Sequence, residues 1–235
     1  MKYDVIVVGA GPGGIFTAYE LMEKKPEWKV AVFEAGHDLA HRRCPIDGEK
    51  VKSCIKCKRC SIMSGFGGAG AFSDGKLNTG TKDSRQRKVL EEFVSHGAPE
   101  DILCDAKPHI GTDILAVVIK NIRNEIISLG GEVRFGEKLE HINVSDNKVC
   151  SVDIKKRNGE VYNLPCQKLI LAIGHSARDT FYMLRDIGTQ MIKKPFAMGV
   201  RIEHPQKDIN KALYGDFAEH PALRAANYKL AVHLE

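Results

Sequence analysis

The feature that most constrains the fold of this chain is a glycine-rich turn at residues 9–14, called the glycine turn below. An apolar run without alternation, YDVIVV at residues 3–8, predicts a buried parallel strand before the turn. After the turn, apolar residues recur at helical spacing up to Lys25, and the short run at 29–33 predicts a second strand that ends at Glu34. This order of elements is typical of a β-α-β unit that binds a dinucleotide.

The residues of the glycine turn are of the types that a dinucleotide requires. Gly9 permits a tight turn, Gly11 lets the backbone approach a pyrophosphate, and Gly14 allows the helix to pack closely on the strand. The N-terminus of the helix then offers free N–H groups to phosphate oxygens. Glu34, about 20 residues beyond Gly14, can accept hydrogen bonds from ribose hydroxyls and disfavours a 2′-phosphate. We therefore predict that the cofactor-binding residues of this unit are Gly9, Gly11, Gly13, Gly14 and Glu34.

The composition favours a soluble globular protein. The chain has 235 residues, of which 43% are hydrophobic and 28% charged, and no apolar run approaches the roughly 18 residues of a membrane helix. A net charge of +5 with 7% aromatic residues is modest for a nucleic-acid-binding protein. Asp4 interrupts the N-terminal apolar run, which argues against a signal peptide. We expect a cytoplasmic protein that acts on a small-molecule substrate, with no nucleic-acid or membrane partner and no particular oligomeric state indicated.

Residues 35–82 form a long insert that is rich in glycine and cysteine and has no sustained periodicity. A segment of this length without regular structure is uncommon inside a compact domain and is usually functional. Two helices are predicted after the insert, one at 84–96 with Ser84 as its N-terminal cap and one from Thr112 to Leu129 with Thr112 as its cap.

The second half of the chain is predicted to be rich in strands. Four short apolar segments between residues 132 and 164, separated by turns at 145–147 and 158–159, indicate antiparallel hairpins. A buried strand at 168–173 follows and enters Gly174. The remaining predicted elements are a short helix near 177–187, a strand near 196–203 and a weak helix.

The layout of these elements resembles that of a known group of flavoproteins. A glycine turn, an inserted loop, an antiparallel meander and a returning strand that ends in Ala172-Ile173-Gly174 are similar to the two-dinucleotide-binding-domain flavoproteins of the glutathione-reductase-like group. The resemblance covers residues 1–180 and implies FAD, which Ala172 and Gly174 approach a second time. The implied fold is α/β: a Rossmann-like FAD-binding domain with a parallel sheet and an antiparallel β-meander, plus the start of a second, substrate domain.

Two further sequence motifs point to one family within this group. The loop GFGGAGAFSDGKL at 65–77 and the turn GHSARD at 174–179 look like the uncharacterised FAD-dependent dehydrogenase family, also called NAD(FAD)-utilising dehydrogenases, found widely in bacteria. This resemblance implies an FAD-dependent oxidoreductase for which NAD(P)H is a candidate electron donor. It also implies that the loop reaches the flavin, with backbone N–H groups at the isoalloxazine ring and a side chain at its polar edge. The residues concerned are Gly68, Ala69, Gly70 and Ser73, with Lys76 as the alternative to Ser73.

Three interpretations of the function stay open at this point. The first is an FAD-dependent oxidoreductase that transfers a hydride or electrons between a substrate and the flavin. The second is a non-catalytic flavin- or nucleotide-binding module with a cysteine-rich metal or redox-sensing loop, and the third is an NAD-binding fold without flavin. The loop at 65–77 could also be a mobile surface loop. His175 could act as an acid or base, although a histidine that bonds the backbone of a turn is the commoner case.

The resemblance also predicts the domain organisation. Flavoproteins of this layout close the FAD site with a Gly-Asp turn after a substrate domain, and Gly215-Asp216 lacks the long apolar strand that should precede such a turn. We therefore predict an FAD-binding domain at 1–188, with the insert at 35–82, and the start of a substrate or cap domain at 189–235. The chain is then expected to be the N-terminal part of a longer protein.

Four of the seven cysteines lie close together in the insert. Cys54, Cys57 and Cys60 have the C-x2-C-x2-C spacing of bacterial ferredoxins, and Cys44 precedes a proline, although in ferredoxins the Cys-Pro comes downstream. Zinc also binds four thiolates. Residues 41–60 carry a net charge of +5, which favours thiolates. We predict a metal site, either an iron–sulfur cluster or zinc, at these four cysteines. A dithiol relay to the flavin and a loop without chemistry are the alternatives.

Overall fold

A computed structural model describes residues 3–72, 75–77, 83–105, 107–196, 198–200 and 202–228 of the protein. The chain forms two compact units, Met1–Gln190 and Met191–Glu235. Among the described residues, the first unit contains a six-stranded sheet with helices, and the second contains a short helix and a 3-10 turn.

The strands of the first unit are β1 (Tyr3–Val8), β2 (Val30–Glu34), β3 (Glu132–Phe135), β4 (Glu137–Ser145), β5 (Lys148–Lys156) and β6 (Val161–Leu171). They form one sheet in the order β3-β2-β1-β6-β5-β4. The neighbours β3, β2, β1 and β6 are parallel, whereas β6, β5 and β4 are antiparallel. β6 belongs to both halves, because Tyr162 near its start lies opposite Ile154 of β5 and Ile170 near its end lies opposite Val7 of β1.

The described helices are α1 (Pro12–Lys24), α2 (Arg85–Ser95), α3 (Thr112–Ser128), α4 (Arg178–Asp186) and, in the second unit, α5 (Gln206–Tyr214). Val5 and Val7 of β1 are buried in a cluster with side chains of α1 and α3. Ile6 and Val8 are buried on the opposite face with side chains of β4 and β5. Since both faces of β1 are covered, the strand is apolar without alternation. None of the helices in the described ranges is both long and apolar enough to cross a membrane.

The predicted α/β fold with a parallel sheet and an antiparallel meander is confirmed. The prediction that residues 132–135 belong to the antiparallel hairpins is wrong, because β3 pairs in parallel with β2 and Arg134 lies opposite Phe33. The segments predicted as two strands at 160–164 and 168–173 are one strand, β6.

Three local predictions differ from the structure or match it in part. Thr112 is the first residue of α3 rather than its cap, which is Gly111 with φ of +89°. Ser84 is the N-terminal cap of α2, but its side chain makes no capping hydrogen bond. The strand predicted near 196–203 is absent from the described residues of that range, which are 196, 198–200, 202 and 203.

The second unit is held together by polar side chains around Ala226. Gln206 Nε2 donates to the carbonyl oxygen of Ala226 at 2.8 Å, and Asn210 Oδ1 accepts from its N–H, also at 2.8 Å. Large apolar side chains before α5 are exposed, with Phe196 at 80% and Val200 at 85%. This unit therefore buries little apolar surface of its own.

Candidate cofactor site

A cavity of about 650 Å³ lies at the carboxyl ends of the neighbouring parallel strands β1, β2 and β6. Gly9 follows β1 directly, and its N–H donates to the carbonyl oxygen of Phe33 in β2 at 2.9 Å. Ala172 follows β6, and its N–H donates to the carbonyl oxygen of Val8 in β1 at 2.8 Å. The three strand ends are therefore held side by side, in the position where open α/β sheets bind ligands.

Most of the residues predicted to bind a cofactor line this cavity. They are Gly9, Gly11, Gly13, Glu34, Gly68, Ala69, Ala172 and Gly174. Gly14 is buried next to the cavity without lining it, and Gly70 is exposed and does not line it. Ser73 lies outside the described residues. The fold thus brings together stretches of the chain that are far apart in sequence.

Two glycines of the turn are required by close backbone contacts. Gly9 has φ of +100°, and a Cβ at this position would lie 2.4 Å from the carbonyl oxygen of Ala172. A Cβ on Gly14 would lie 1.8 Å from the carbonyl oxygen of Gly9. Real Cβ atoms do not approach backbone oxygens so closely, so these glycines allow α1, β1 and the end of β6 to meet.

The N-terminus of α1 points its backbone N–H groups at the cavity. Gly11 caps the helix, Pro12 is its first residue, and no acidic side chain lies in its first turn. A Cβ on Gly11 would come no closer than 3.9 Å to Gly68, and a Cβ on Gly13 no closer than 3.9 Å to Ala172. The start of the helix is therefore open to a bound group. An unneutralised helix N-terminus with glycine backbone suits a pyrophosphate, so the residues present fit a dinucleotide such as FAD.

Glu34 is buried in this site, with 6% exposure, and its carboxylate binds three backbone N–H groups. Oε2 accepts from Ala10 at 2.8 Å, whereas Oε1 accepts from Gly36 at 2.7 Å and from Gly65 at 2.9 Å. One carboxylate therefore joins the glycine turn, the end of β2 and the insert. A carboxylate has about four acceptor positions, so Glu34 can accept one further hydrogen bond.

The hydrogen bonds of Glu34 predict a stability change on removal of its charge. In Glu34→Gln, the amide NH₂ must face one of the three backbone N–H donors, so at least one buried donor loses its partner. We expect the free energy of unfolding to fall by about 2 kcal/mol, measured by urea denaturation of the protein without cofactor. The matched control is Glu27→Gln, because Glu27 is exposed. Equal midpoints for the two variants would contradict the prediction.

Arg42 also belongs to this region, although nothing in the sequence predicted a role for it. Its side chain is buried, with 4% exposure, and its guanidinium packs 4.6 Å from the centroid of the Phe72 ring. The guanidinium donates at 2.6–2.8 Å to the carbonyl oxygens of Ser61, Ile62, Phe66 and Gly68. Burial lowers the pKa of Arg42, although an arginine stays charged in proteins. Arg42 thus fixes the path of residues 61–68, which we call the anchored segment.

The anchored segment also packs against the glycine turn. Phe66 has no exposed surface, and its ring contacts that of Phe135 edge-on, with the centroids 5.9 Å apart. The N–H of Gly67 donates to the carbonyl oxygen of Ala10 at 2.8 Å. The alternative interpretation of a mobile surface loop does not fit this segment, because its backbone is bonded and its phenylalanine lies in the core.

Charged side chains of several elements complete the lining of the cavity. Lys58 and Arg59 come from the insert, and His175 follows Gly174. Lys138 Nζ of β4 lies 2.6 Å from Asp179 Oδ2 of α4, and this hydrogen bond is the main cause of a lowered pKa at Asp179. The ion pair joins the meander to α4 at the cavity, while the acid or base role of His175 stays a prediction.

The four clustered cysteines do not form a metal site in the described part of the chain, which includes all of them. Cys54 and Cys57 are exposed, Cys44 and Cys60 are half-buried, and all four are free thiols. No three His, Cys, Asp or Glu side chains among the described residues are placed to hold a metal ion. The described residues that line the cavity include no cysteine. The predicted iron–sulfur or zinc site is therefore not confirmed.

Sequence comparisons match two profiles to this chain. That of the pyridine nucleotide-disulphide oxidoreductases covers residues 3–189, and one described as FAD-dependent protein, C-terminal domain-like, covers 195–235. An uncharacterized protein of Clostridium beijerinckii is 47% identical over 239 residues, which is 100% of this chain and 43% of the relative. An NAD(P)H coenzyme A polysulfide/persulfide reductase of Pyrococcus horikoshii is 41% identical over 46 residues, which is 20% of this chain and 10% of the reductase. The chain thus spans less than half the length of the Clostridium relative.

Solved structures share the fold. THI4 of Thermovibrio ammonificans superposes with a TM-score of 0.54 at 19% identity, covering 80% of this chain and 64% of that one. The glycerol-3-phosphate dehydrogenase of Bacillus halodurans, complexed with FAD, gives a TM-score of 0.51 at 14% identity, covering 78% of this chain and 36% of that one. Similarity at this level of identity concerns the fold alone. Because the first profile matches most of its residues, the chain belongs to the pyridine nucleotide-disulphide oxidoreductase family.

Proposed function

We propose that this protein is an FAD-dependent oxidoreductase that passes a hydride or electrons between a small-molecule substrate and the flavin. The observation that carries the proposal is the convergence of the glycine turn, Glu34 and Gly174 on one cavity at the ends of three parallel strands. Membership of an oxidoreductase family supports the class of reaction. Since the chain spans 43% of its Clostridium relative, the activity is proposed for the whole protein.

In this proposal the glycine turn holds the pyrophosphate of FAD. Gly9 and Gly14 shape the turn, whereas Gly11 and Gly13 leave the helix N–H groups free to donate to the phosphate oxygens. Glu34 accepts from a hydroxyl of the adenosine ribose through the acceptor position that its three backbone bonds leave. When bound, FAD supplies the reversible electron and hydride transfer.

The flavin end of FAD is assigned to the insert and to the turn after β6. Gly68, Ala69 and Gly70, with Ser73, are proposed to contact the isoalloxazine ring. A Cβ on Gly68 would lie 3.0 Å from the Cα of Gly11, so the insert approaches the glycine turn closely. Ala172 and Gly174 are proposed to approach the cofactor a second time, and both line the cavity.

The finer assignment is to the bacterial FAD-dependent dehydrogenases, with NAD(P)H as the electron donor. The sequence at 65–77 supports the assignment to these dehydrogenases. The name of the Pyrococcus reductase, which includes NAD(P)H, supports this electron donor. We propose an FAD-binding domain at 1–188 and the start of a substrate or cap domain at 189–235, which agrees with a profile described as FAD-dependent at 195–235. The seven free cysteines favour the cytoplasm, and the proposal includes no nucleic-acid or membrane partner.

An absorption spectrum of the whole protein tests the cofactor. We expect bands near about 370 and 450 nm, and their loss when NADH or NADPH is added without oxygen. Gly11→Leu should abolish both bands while its far-UV circular dichroism is unchanged, because the leucine would project into the cavity. Gly199→Leu is the control, since Gly199 is exposed and no atom lies within 4 Å of an added Cβ.

Flavin content, flavin reduction and reoxidation, and NAD binding together distinguish the alternative functions. A protein that holds FAD but is neither reduced by any donor nor reoxidised by any acceptor would be a non-catalytic flavin-binding module. A protein that stays colourless after incubation with FAD and binds NAD would be the fold without flavin. Either result would contradict the proposed function.

A further inference from the structure

A second cavity, of about 550 Å³, is lined by a different set of residues. It is formed by the loop after β2, the end of β3 and the turn between β5 and β6, and its lining includes His37, His41, Gly136 and Arg157. Among the described residues only Glu137 lines both cavities. The second cavity, which we call the basic pocket, is therefore a site of its own.

Three of the four basic side chains in the basic pocket bond no described residue, whereas the fourth, Lys156, pairs with Glu160. Nη2 and Nε of Arg157 lie 3.1 and 3.2 Å from the position of a Cβ on Gly136, so the absence of a side chain there lets the guanidinium approach the backbone. Within the described ranges, the side chains of Arg157, His37 and His41 form no hydrogen bond or ion pair. Their N–H groups are therefore available to a ligand.

The acidic side chains of the basic pocket are already engaged. Asp38 forms an ion pair with Arg123, and Glu137 accepts a hydrogen bond from the hydroxyl of Tyr162. Glu137 also lies 3.9 Å from Arg134, and among the described residues neither carboxylate forms an ion pair with Arg157.

The positive charges around the basic pocket also affect the pKa of His37. Burial lowers the pKa of His37, and the charges of Arg157, His41 and Arg59 lower it further. An imidazole surrounded by cations is protonated more readily when an anion is bound beside it. The electrostatics of the basic pocket therefore favour an anionic ligand.

We propose that the basic pocket binds the phosphate group of a small phosphomonoester. The forked donors of Arg157 match phosphate oxygens, and the imidazoles of His37 and His41 add two further donors. The volume lies within the roughly 300–1,000 Å³ typical of small-molecule sites, and Phe135 gives the pocket an apolar wall. This site goes beyond the proposed oxidoreductase function, because only one described residue, Glu137, lines both the basic pocket and the FAD cavity.

Calorimetric titration of the FAD-saturated protein tests the site, because bound FAD then occupies the first cavity. The probes are inorganic phosphate and AMP, and we expect both to bind. Arg157→Gln should weaken both by at least about tenfold, since it removes a charge-assisted contact. The matched control is Arg185→Gln, which removes an exposed arginine that pairs with its neighbour Asp186 and lines neither cavity. Equal affinities for the two probes mean that the phosphate alone is recognised, whereas tighter binding of AMP means that the apolar wall contributes.

The pH dependence of anion binding gives a second test of the site. Sulfate is the probe here, because its charge is constant between about pH 6 and pH 8, where histidine titrates. The charged groups facing the two imidazoles are Asp38 and Arg59 from the loop after β2, Glu137 from β4, and Lys156 and Arg157 from the end of β5. Sulfate affinity should rise as the pH falls, and it should lose this dependence when His37→Gln and His41→Gln are combined.

Three results would overturn the inference. The first is that the FAD-saturated protein binds neither phosphate nor AMP. The second is that Arg157→Gln and Arg185→Gln weaken binding equally. The third is that the pH dependence of sulfate binding persists in the variant without both histidines.

Discussion

Replacement of Arg42 by leucine is expected to lower the free energy of unfolding by about 3–5 kcal/mol, because several backbone carbonyl groups lose a charged hydrogen-bond donor at once. The variant Arg42→Leu leaves four carbonyl groups of the anchored segment without their donors. Each buried acceptor that loses its partner costs about 1–3 kcal/mol, although water will reach those near the surface. Gly68 belongs to the anchored segment and lines the FAD cavity, so FAD affinity should fall as well.

Urea denaturation and FAD titration measure these two effects. Arg43→Leu is the matched control, because Arg43 is the next residue and is exposed. Arg42→Lys should fall between the parent and Arg42→Leu, since lysine keeps the charge but cannot reach four carbonyl groups with a planar fork. If Arg42→Leu and Arg43→Leu unfold at the same urea concentration, Arg42 does not hold the anchored segment.

Arg42 and Glu34 together explain how a segment without regular structure can be part of the core. The Glu34 carboxylate accepts from the N–H of Gly65, and the Arg42 guanidinium binds the carbonyl oxygen of the adjacent Phe66. Buried backbone groups need partners, and here two side chains of opposite charge supply them in place of a helix or a sheet. The ring of Phe66 can then pack in the core.

The sequence was sufficient for those parts of the site that depend on local geometry. The order of strand, glycine turn and helix within residues 3–24 restricts the backbone so strongly that the positions of Gly9 and Gly14 follow from it. Glu34 was identified for the same reason, because the end of β2 lies beside the turn whenever the β-α-β unit forms. Its three backbone partners were not foreseen, since Gly65 comes from the insert.

The parts that were missed depend on contacts between distant residues. Arg42 is one of seven basic residues between positions 41 and 60, and nothing in its neighbourhood distinguishes it from the exposed Arg43. The parallel pairing of β3 with β2 was missed because the hairpin-like turns that follow residue 135 suggested a continuous meander. The cysteine spacing is typical of metal sites, but ligand spacing alone does not bring the thiols together.

The neighbouring glycines of α1 should respond in opposite ways to the addition of one methyl group. Gly14→Ala places a Cβ 1.8 Å from the carbonyl oxygen of Gly9, which is backbone and cannot rotate away. We expect the free energy of unfolding to fall by about 3 kcal/mol or more. Gly13→Ala meets nothing closer than 3.9 Å, and alanine favours a helix over glycine, so its free energy of unfolding should be unchanged or rise by up to about 1 kcal/mol.

Urea denaturation without cofactor and FAD titration separate the two roles of these glycines. Gly13 lines the cavity, so Gly13→Ala should fold at least as stably as the parent and yet bind FAD more weakly. Gly14→Ala should be less stable than the parent protein even in the absence of cofactor. Equal stability of both variants would mean that α1 does not pack on the glycine turn as closely as described. A Gly13→Ala variant with parental FAD affinity would mean that the start of α1 is not the part of the cavity that contacts the cofactor.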